Sequence, residues 1–314
     1  MPNNPKLLRG VVPPVCTPFT SDYEVDEKSL RRLINYLLDG GVTGLFVLGS
    51  TSEVAYLSDK RRADVIRIAI DEAAGRVPVV AGAIDMTTLR VNEHVRAAMS
   101  AGIDGIVSTG PFYARTHPEE IALHFRLVKE VCGDLPLYAY NIPVATNGVI
   151  LETSTVLKLA NEGVIQGLKD SSGNDAGIRA VVLGAQKMGL KEFVVLTGSE
   201  LTVDSALMAG AHGVVAGIGN IDPAGYVKIF NLVAAGDYKS ARAEQERLTE
   251  MFGLADVGAP GRMGRGSSAI GAFKASLKLL GIIDDARVAP PQIPLNSDEI
   301  AAIVPFLRNA KLLK

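Results

Sequence analysis

The chain has 314 residues, 47% of them apolar, and a formal net charge of −2. That is enough for one large α/β barrel or two ordinary domains, with too little charge to call for nucleic acid or an anionic membrane as partner. Two cysteines, Cys16 and Cys132, make neither a disulfide framework nor a metal spacing; the opening MPNNPKLLRG lacks a signal-peptide core, and no run reaches the roughly 18 apolar residues of a membrane span, so a cytoplasmic protein is expected.

Eight short apolar or β-branched runs recur along the first two-thirds of the chain. They are VVPPVC from Val11, GLFVLG from Gly44, VPVVAG from Val77, DGIVST from Asp104, PLYAYN from Pro136, IQGLKD from Ile165, FVVLTG from Phe193 and GVVAGI from Gly213. Each precedes a stretch of helical period. In 59–74, Ile66, Ala69, Ile70 and Ala73 share a stripe with arginines opposite, and Thr116-His117-Pro118-Glu119 offers a capping box before Ile121, Phe125 and Val128. The runs are continuous rather than alternating, as expected of parallel strands covered on both faces. Eight β-helix units in a row predict an eight-stranded parallel β/α (TIM) barrel; the alternative is an open doubly wound sheet, which the lack of a GxGxxG helix entry weakens.

After Pro223 the pattern is helical only, over 224–235, 239–252, about 267–280 and 298–313. The first of these completes the barrel, placing it at 1–236. The rest form a C-terminal helical extension at 237–314 that either covers the barrel's side or makes a subunit contact. The loop GAPGRMGRG at 258–266 reads as an exposed turn.

In a barrel the working residues sit at the C-terminal ends of the strands. Those ends are Cys16-Thr17, Gly49 to Glu53, Thr109 to Tyr113, Tyr140-Asn141, Lys169, Gly198 to Glu200 and Gly217. Only Lys169 is cationic, and no histidines or carboxylates converge as a metal would require. Burial in an apolar barrel mouth disfavours an ammonium, so a lysine there keeps a fraction of free amine able to attack a carbonyl. The resulting Schiff base is an electron sink for making or breaking C–C bonds. The bland alternative pairs Lys169 with Asp170. Tyr140, one strand over, can move protons for such an imine, or can simply pack with its hydroxyl tied to backbone. Gly49-Ser50-Thr51 offers hydroxyls and free N–H groups suited to a carboxylate, or is an ordinary helix-entry turn. Cys16 reads as a small packed residue, and His94, His117, His124 and His212 share no spacing.

GSTSE at Gly49, PFY at Pro111, YNIP at Tyr140 and GLKDSSG at Gly167 together resemble, in order and spacing, the dihydrodipicolinate synthase / N-acetylneuraminate lyase family of class I aldolases, over nearly the whole chain. The resemblance implies a pyruvate-dependent lyase or synthase needing no cofactor beyond a lysine imine. By analogy Lys169 forms the imine with pyruvate or another 2-keto acid, Tyr140 shuttles protons, and Ser50 and Thr51 bind the carboxylate and relay protons. Tyr113 matches a tyrosine that reaches into a neighbouring subunit's site, and Val215 a position whose carbonyl lies near the lysine. Gly198, Glu200 and Gly217 complete the expected substrate-binding set. A homotetramer built as a dimer of dimers is implied.

Two departures bear on substrate. The synthases carry an arginine two residues after the proline of YNxP to bind the aldehyde's carboxylate, and here that position is Ala145. Sialate lyases place adjacent acidic residues after the strand-seven glycine, where this chain has Glu200 and Leu201. Ser52 stands where the family has glycine, either tightening the pocket or adding a hydroxyl. The expectation is therefore a lyase cleaving a 2-keto-3-deoxy sugar acid, or a related 4-hydroxy-2-keto acid, to pyruvate and an aldehyde. Dihydrodipicolinate synthase, a dehydratase or deaminase using the same imine, and a non-catalytic keto-acid-binding scaffold are the alternatives. Arg262 and Arg265 are the cations that a phosphorylated substrate would use.

Overall fold

The structure, a computed structural model, describes residues 7–314. Eight parallel strands alternate with helices: β1 (Gly10–Val11), β2 (Leu45–Val47), β3 (Val79–Gly82), β4 (Gly105–Thr109), β5 (Leu137–Asn141), β6 (Gly167–Asp170), β7 (Val194–Thr197) and β8 (Gly213–Val214). Seven of them fall inside their predicted runs, and β1 begins one residue before its own, at Gly10, sharing only Val11 with it. Their order is β1-β8-β7-β6-β5-β4-β3-β2. A parallel bridge from Pro14 to Phe46 joins the two ends and closes the ring. Phe46 donates its N–H to the Pro13 carbonyl at 3.1 Å, and Val15 donates to the Phe46 carbonyl at 2.8 Å. The first run yields only a two-residue strand because Pro13 and Pro14 have no N–H to give to a ladder. This is the TIM barrel the sequence predicted, with a C-terminal helical extension.

Every strand residue is buried, which explains the continuous apolar runs. One face packs on the helices. The other fills the lumen with Leu8, Val12, Phe46, Val80, Val107, Tyr138, Tyr140, Val194, Leu196 and Val215. Tyr138 crosses this lumen, its hydroxyl accepting the Leu8 N–H at 2.9 Å. Gly167 lies beside it, where a Cβ would come within 2.7 Å of the Tyr138 ring and 2.6 Å of Val194. The absent side chain leaves the floor beneath Lys169 to Tyr138.

The predicted helices form with shifted ends. The helices of the barrel are α1 (Glu27–Asp39), α2 (Asp59–Ala73), α3 (Thr88–Ser100), α4 (Pro118–Cys132), α5 (Thr153–Asn161), α6 (Asp175–Lys187) and α7 (Val203–Met208), and α2 buries Ile66, Ala69 and Ala73 of the predicted stripe with Ile70 half-buried. In α4 (Pro118–Cys132) the capping box is His117 with Glu120, one residue later than expected, because Pro118 takes the first helical position and makes His117 the cap. Downstream come α8 (Pro223–Ala234), α9 (Tyr238–Phe252), α10 (Arg265–Leu279) and α11 (Ser297–Asn309). The last ends four residues before the expected 313, and Lys311 beyond it adopts φ 62°. Helix α9 packs along α8, and α10 lies against the short 3-10 turn after β8, so the extension reaches the barrel mouth. None of the described helices is long and apolar enough to cross a membrane.

Candidate active site

Strand register assembles the centre of the site. Thr109, Tyr140, Lys169 and Leu196 stand side by side at the exits of β4 to β7. Neighbours in register on parallel strands share a face, so Thr109 and Lys169 turn inward with Tyr140. Lys169 is 5% exposed. Its Nζ lies 4.0 Å from the Tyr140 ring centroid and 4.9 Å from that of Phe46. The two rings meet edge to face at 6.2 Å, walling the amine with aromatic surface.

Asp170 does not pair with this lysine. One residue on, it faces the other side of the sheet, accepting from Asn141 Nδ2 at 2.8 Å and from the Ser172 N–H and hydroxyl at 2.9 and 2.6 Å. Among the described residues, no carboxylate forms an ion pair with Lys169. The bland reading of a strand-end ion pair therefore fails.

Above the lysine a cavity of 720 Å³ opens at the barrel mouth. Ser50, Thr51, Tyr140, Lys169, Gly198, Glu200, Val215 and Gly217 all line it. Tyr113 does not. It is 81% exposed and borders a separate shallow depression with Met86 and Pro111. Within one chain the structure thus brings together every expected site residue except the one assigned to a neighbour's site.

The turn carrying Ser50 and Thr51 is pinned from below. Thr17 donates its hydroxyl to the Ser52 carbonyl at 2.8 Å, and the Gly49 N–H donates to Ser52 Oγ at 3.1 Å. Ser52 is fully buried and tightens the turn rather than adding a hydroxyl to the cavity. Glu53 follows in the left-handed region at φ 61°. Its Oε1 accepts from the Ala289 N–H and Gln292 Nε2, both at 2.7 Å, and its Oε2 pairs with Lys274.

Glu200 is held across the mouth by an Ile218 N–H donating to its Oε1 at 2.7 Å. Its carbonyl accepts from Gln245 Nε2 at 3.0 Å and the Tyr226 hydroxyl at 3.2 Å. Burial pushes its carboxyl pKa up to about 7, against hydrogen bonds from Ile218 and Gly217 and the charge of Lys169. Gly217 has no room for a side chain: a Cβ would sit 2.8 Å from both Glu200 Oε1 and the Phe273 ring.

Ala145 ends the short 3-10 turn Pro143–Ala145 and lines the cavity. Among the described residues lining the cavity, Lys169 is the only cation. Arg262 and Arg265 do not reach it. Arg262 is spent on Glu299 and on the Pro294 carbonyl at 3.0 Å, and Arg265 on Asp256 at 2.8 Å. The loop at 258–266 is largely exposed, as expected, with Gly258 and Met263 buried within it.

The remaining candidates are structural. Cys16 is fully buried, and desolvation pushes its thiol up to about 12. His94 meets the Asp85 carboxylate at 2.9 Å, and His117 caps α4. His124 is buried against the Thr88 hydroxyl, with desolvation taking it down to about 4; His212 Nδ1 accepts the Val195 N–H at 3.0 Å. Among the described residues no group of three His, Cys, Asp or Glu could hold a metal ion.

Several lining residues had no assigned role in the sequence. Thr109 was visible only as a strand end, yet it is 2% exposed with its Oγ1 unpartnered among the described residues. Ser171 lies in the KDSSG segment. Phe252, Ile270, Phe273 and Gln292 come from the C-terminal extension and form one wall. No local motif marks them, because they lie far along the chain from the strand ends.

A sequence profile of the dihydrodipicolinate synthetase family matches residues 7–310. The 4-hydroxy-tetrahydrodipicolinate synthase of Methanothermobacter thermautotrophicus is 35% identical over 245 residues, covering 78% of this chain and 86% of that protein. The protein of the same name from Nitrobacter hamburgensis is 33% identical over 288 residues, 92% of each. The crystal structure of YagE, a prophage protein of the dihydrodipicolinic acid synthase family from E. coli K12 in complex with pyruvate, superposes with a TM-score of 0.89 at 29% identity, covering 98% of this chain and 99% of that one. Enzymes of this family use a lysine Schiff base with pyruvate and no cofactor. The chain belongs to the dihydrodipicolinate synthetase family and is an enzyme of its kind, a pyruvate-dependent class I aldolase or lyase.

Proposed function

We propose that this chain cleaves a 2-keto-3-deoxy sugar acid, or a related 4-hydroxy-2-keto acid with an uncharged tail, to pyruvate and an aldehyde. The observation that carries the reading is Lys169, buried and free of any carboxylate partner among the described residues, in register with Tyr140. Its amine attacks the C2 carbonyl of the keto acid. Tyr140 returns a proton to the carbinolamine oxygen, which leaves as water, and the imine forms. Ser50 and Thr51 hold the C1 carboxylate with their hydroxyls and the N–H groups of their turn.

With the imine in place, Tyr140 takes the proton of the C4 hydroxyl. The C3–C4 electrons move into the imine to give an enamine, and C4 leaves as the aldehyde carbon. Protonation at C3 and hydrolysis release pyruvate and restore the amine. Glu200, Ser171 and Thr109 face the tail and offer partners to its hydroxyls. Tyr113, exposed on its own chain, reaches a neighbouring site in a dimer-of-dimers homotetramer. The barrel, expected over 1–236 with its first six residues outside the described ones, and the extension at 237–314 work as one cytoplasmic enzyme.

Pyruvate as the ligand is supported by the pyruvate complex of the E. coli protein. The absence of a second cation among the described cavity-lining residues favours a neutral tail: a buried carboxylate at Ala145 would lack the bidentate guanidinium that stabilises it. One specific observation supports the synthase reading, namely the name carried by the relatives at 33 and 35% identity. A single comparison separates the two. Pyruvate release from a panel of 2-keto-3-deoxy acids is expected, with little condensation of pyruvate and aspartate semialdehyde. Efficient condensation with no cleavage of the panel overturns the assignment in favour of the synthase.

A further inference from the structure

Behind the Ser50-Thr51 turn lies a fully buried ion pair. Glu53 is 1% exposed and Lys274, in the middle of α10, is 0% exposed. The two side chains meet directly. Lys274 Nζ also donates to the Arg287 carbonyl at 2.9 Å and stands 4.0 Å from the Phe19 ring centroid. The other oxygen of Glu53 is taken by the Ala289 N–H and Gln292 Nε2. Among the described residues, every group that meets this carboxylate comes from the C-terminal segment 274–292, more than two hundred residues away in sequence.

Two further features argue against a packing role alone. Taking two charges out of water is costly, and a buried ion pair can often be replaced by apolar side chains without loss of stability. Glu53 also holds a left-handed backbone at φ 61°, a conformation a non-glycine residue adopts at a cost unless its surroundings enforce it. It does so two residues after Thr51, where the Glu53 N–H closes the turn on the Ser50 carbonyl at 3.0 Å. A strained turn with an expensive anchor is the arrangement expected where backbone geometry serves a ligand.

We propose that Glu53 and Lys274 are positioning residues, and that the 274–292 segment clamps the Ser50-Thr51 turn in the geometry that binds the keto-acid carboxylate. The C-terminal extension is then a working part of the site. Gln292 belongs to the same clamp and, like Glu53, also lines the cavity. This inference rests on the reading that Ser50 and Thr51 hold that carboxylate.

The test uses the 314-residue chain, with borohydride trapping of the pyruvate imine titrated against pyruvate concentration. The double variant Glu53→Gln/Lys274→Met removes both charges together and spares the fold an unpaired one. The clamp predicts near wild-type thermal stability, an unchanged adduct yield at saturating pyruvate, and half-saturation raised about tenfold, the scale of one hydrogen bond to a charged group. A folded double variant with wild-type half-saturation overturns the clamp. Should that variant not fold, Gln292→Leu supplies the answer: half-saturation raised several-fold supports the clamp, and an unchanged value overturns it. Failure of the wild-type enzyme to trap any adduct would instead count against the imine reading.

Discussion

Lys274→Met should destabilise the protein far more than the paired change Glu53→Gln/Lys274→Met. The single substitution leaves the Glu53 carboxylate fully buried with, among the described residues, only two neutral donors, the Ala289 N–H and Gln292 Nε2. Removing one partner of a buried pair costs ~3–5 kcal/mol, because the other charge stays in low dielectric. At ~2.1 cal/mol/K per residue, each kcal/mol lowers the Tm of a 314-residue chain by ~1.5 °C, so a fall of roughly 5–8 °C is expected. Replacing both charges removes the uncompensated carboxylate, and the double variant should lie within ~1 kcal/mol of wild type. Urea unfolding followed by circular dichroism measures both. A single variant costing under ~1 kcal/mol, or a double variant as unstable as the single, would refute the reasoning that the pair is costly and its separation costlier.

Tyr140→Phe should retain pyruvate binding while losing about 10²–10⁴ in turnover, the range of a general acid–base group; full activity would remove Tyr140 from the proton path. Thr109→Val deletes a buried hydroxyl that has no partner among the described residues. It should leave unfolding stability unchanged or raise it, and lower kcat/KM for a hydroxylated substrate by about tenfold; an unchanged kcat/KM shows that the hydroxyl meets no substrate. Glu200, whose carboxyl is raised from 4.5 to about 7, binds its proton more tightly folded than unfolded. Its contribution to stability is complete below the unfolded value of 4.5 and is lost as pH rises through about 7. Against Glu200→Gln, wild type should therefore lose unfolding free energy across that window, and parallel pH profiles would contradict the shift.

The barrel was legible because parallel strands covered on both faces write themselves as unbroken apolar runs, and seven of the eight runs contain their strand whole, β1 starting one residue early at Gly10. The inner site was legible for a related reason. Strand ends feed one mouth, so reading residues at those ends brought Ser50, Thr51, Tyr140, Lys169, Glu200 and Gly217 to one cavity. Asp170 could not be placed by adjacency alone, since consecutive strand residues face opposite sides and send it to Asn141 and Ser172 rather than to Lys169. The two arginines of the 258–266 loop looked available for phosphate because their carboxylate partners, Glu299 and Asp256, lie outside that loop. The wall from Phe252, Ile270, Phe273 and Gln292, and the anchor at Lys274, were hidden for the same reason. Nothing in a helix's own periodicity reports that it leans over a distant strand end. Thr109 stood in view without a role, and its orphaned hydroxyl becomes visible only once its neighbours are counted.

The proposed cleavage requires Lys169 to form an imine with a 2-keto acid. Incubation with pyruvate, reduction with borohydride and peptide mass spectrometry tests it most directly. A single reduced pyruvate adduct on Lys169 is expected in the wild type, and none in Lys169→Ala. No adduct on the wild-type enzyme, or the same yield in Lys169→Ala, would contradict it.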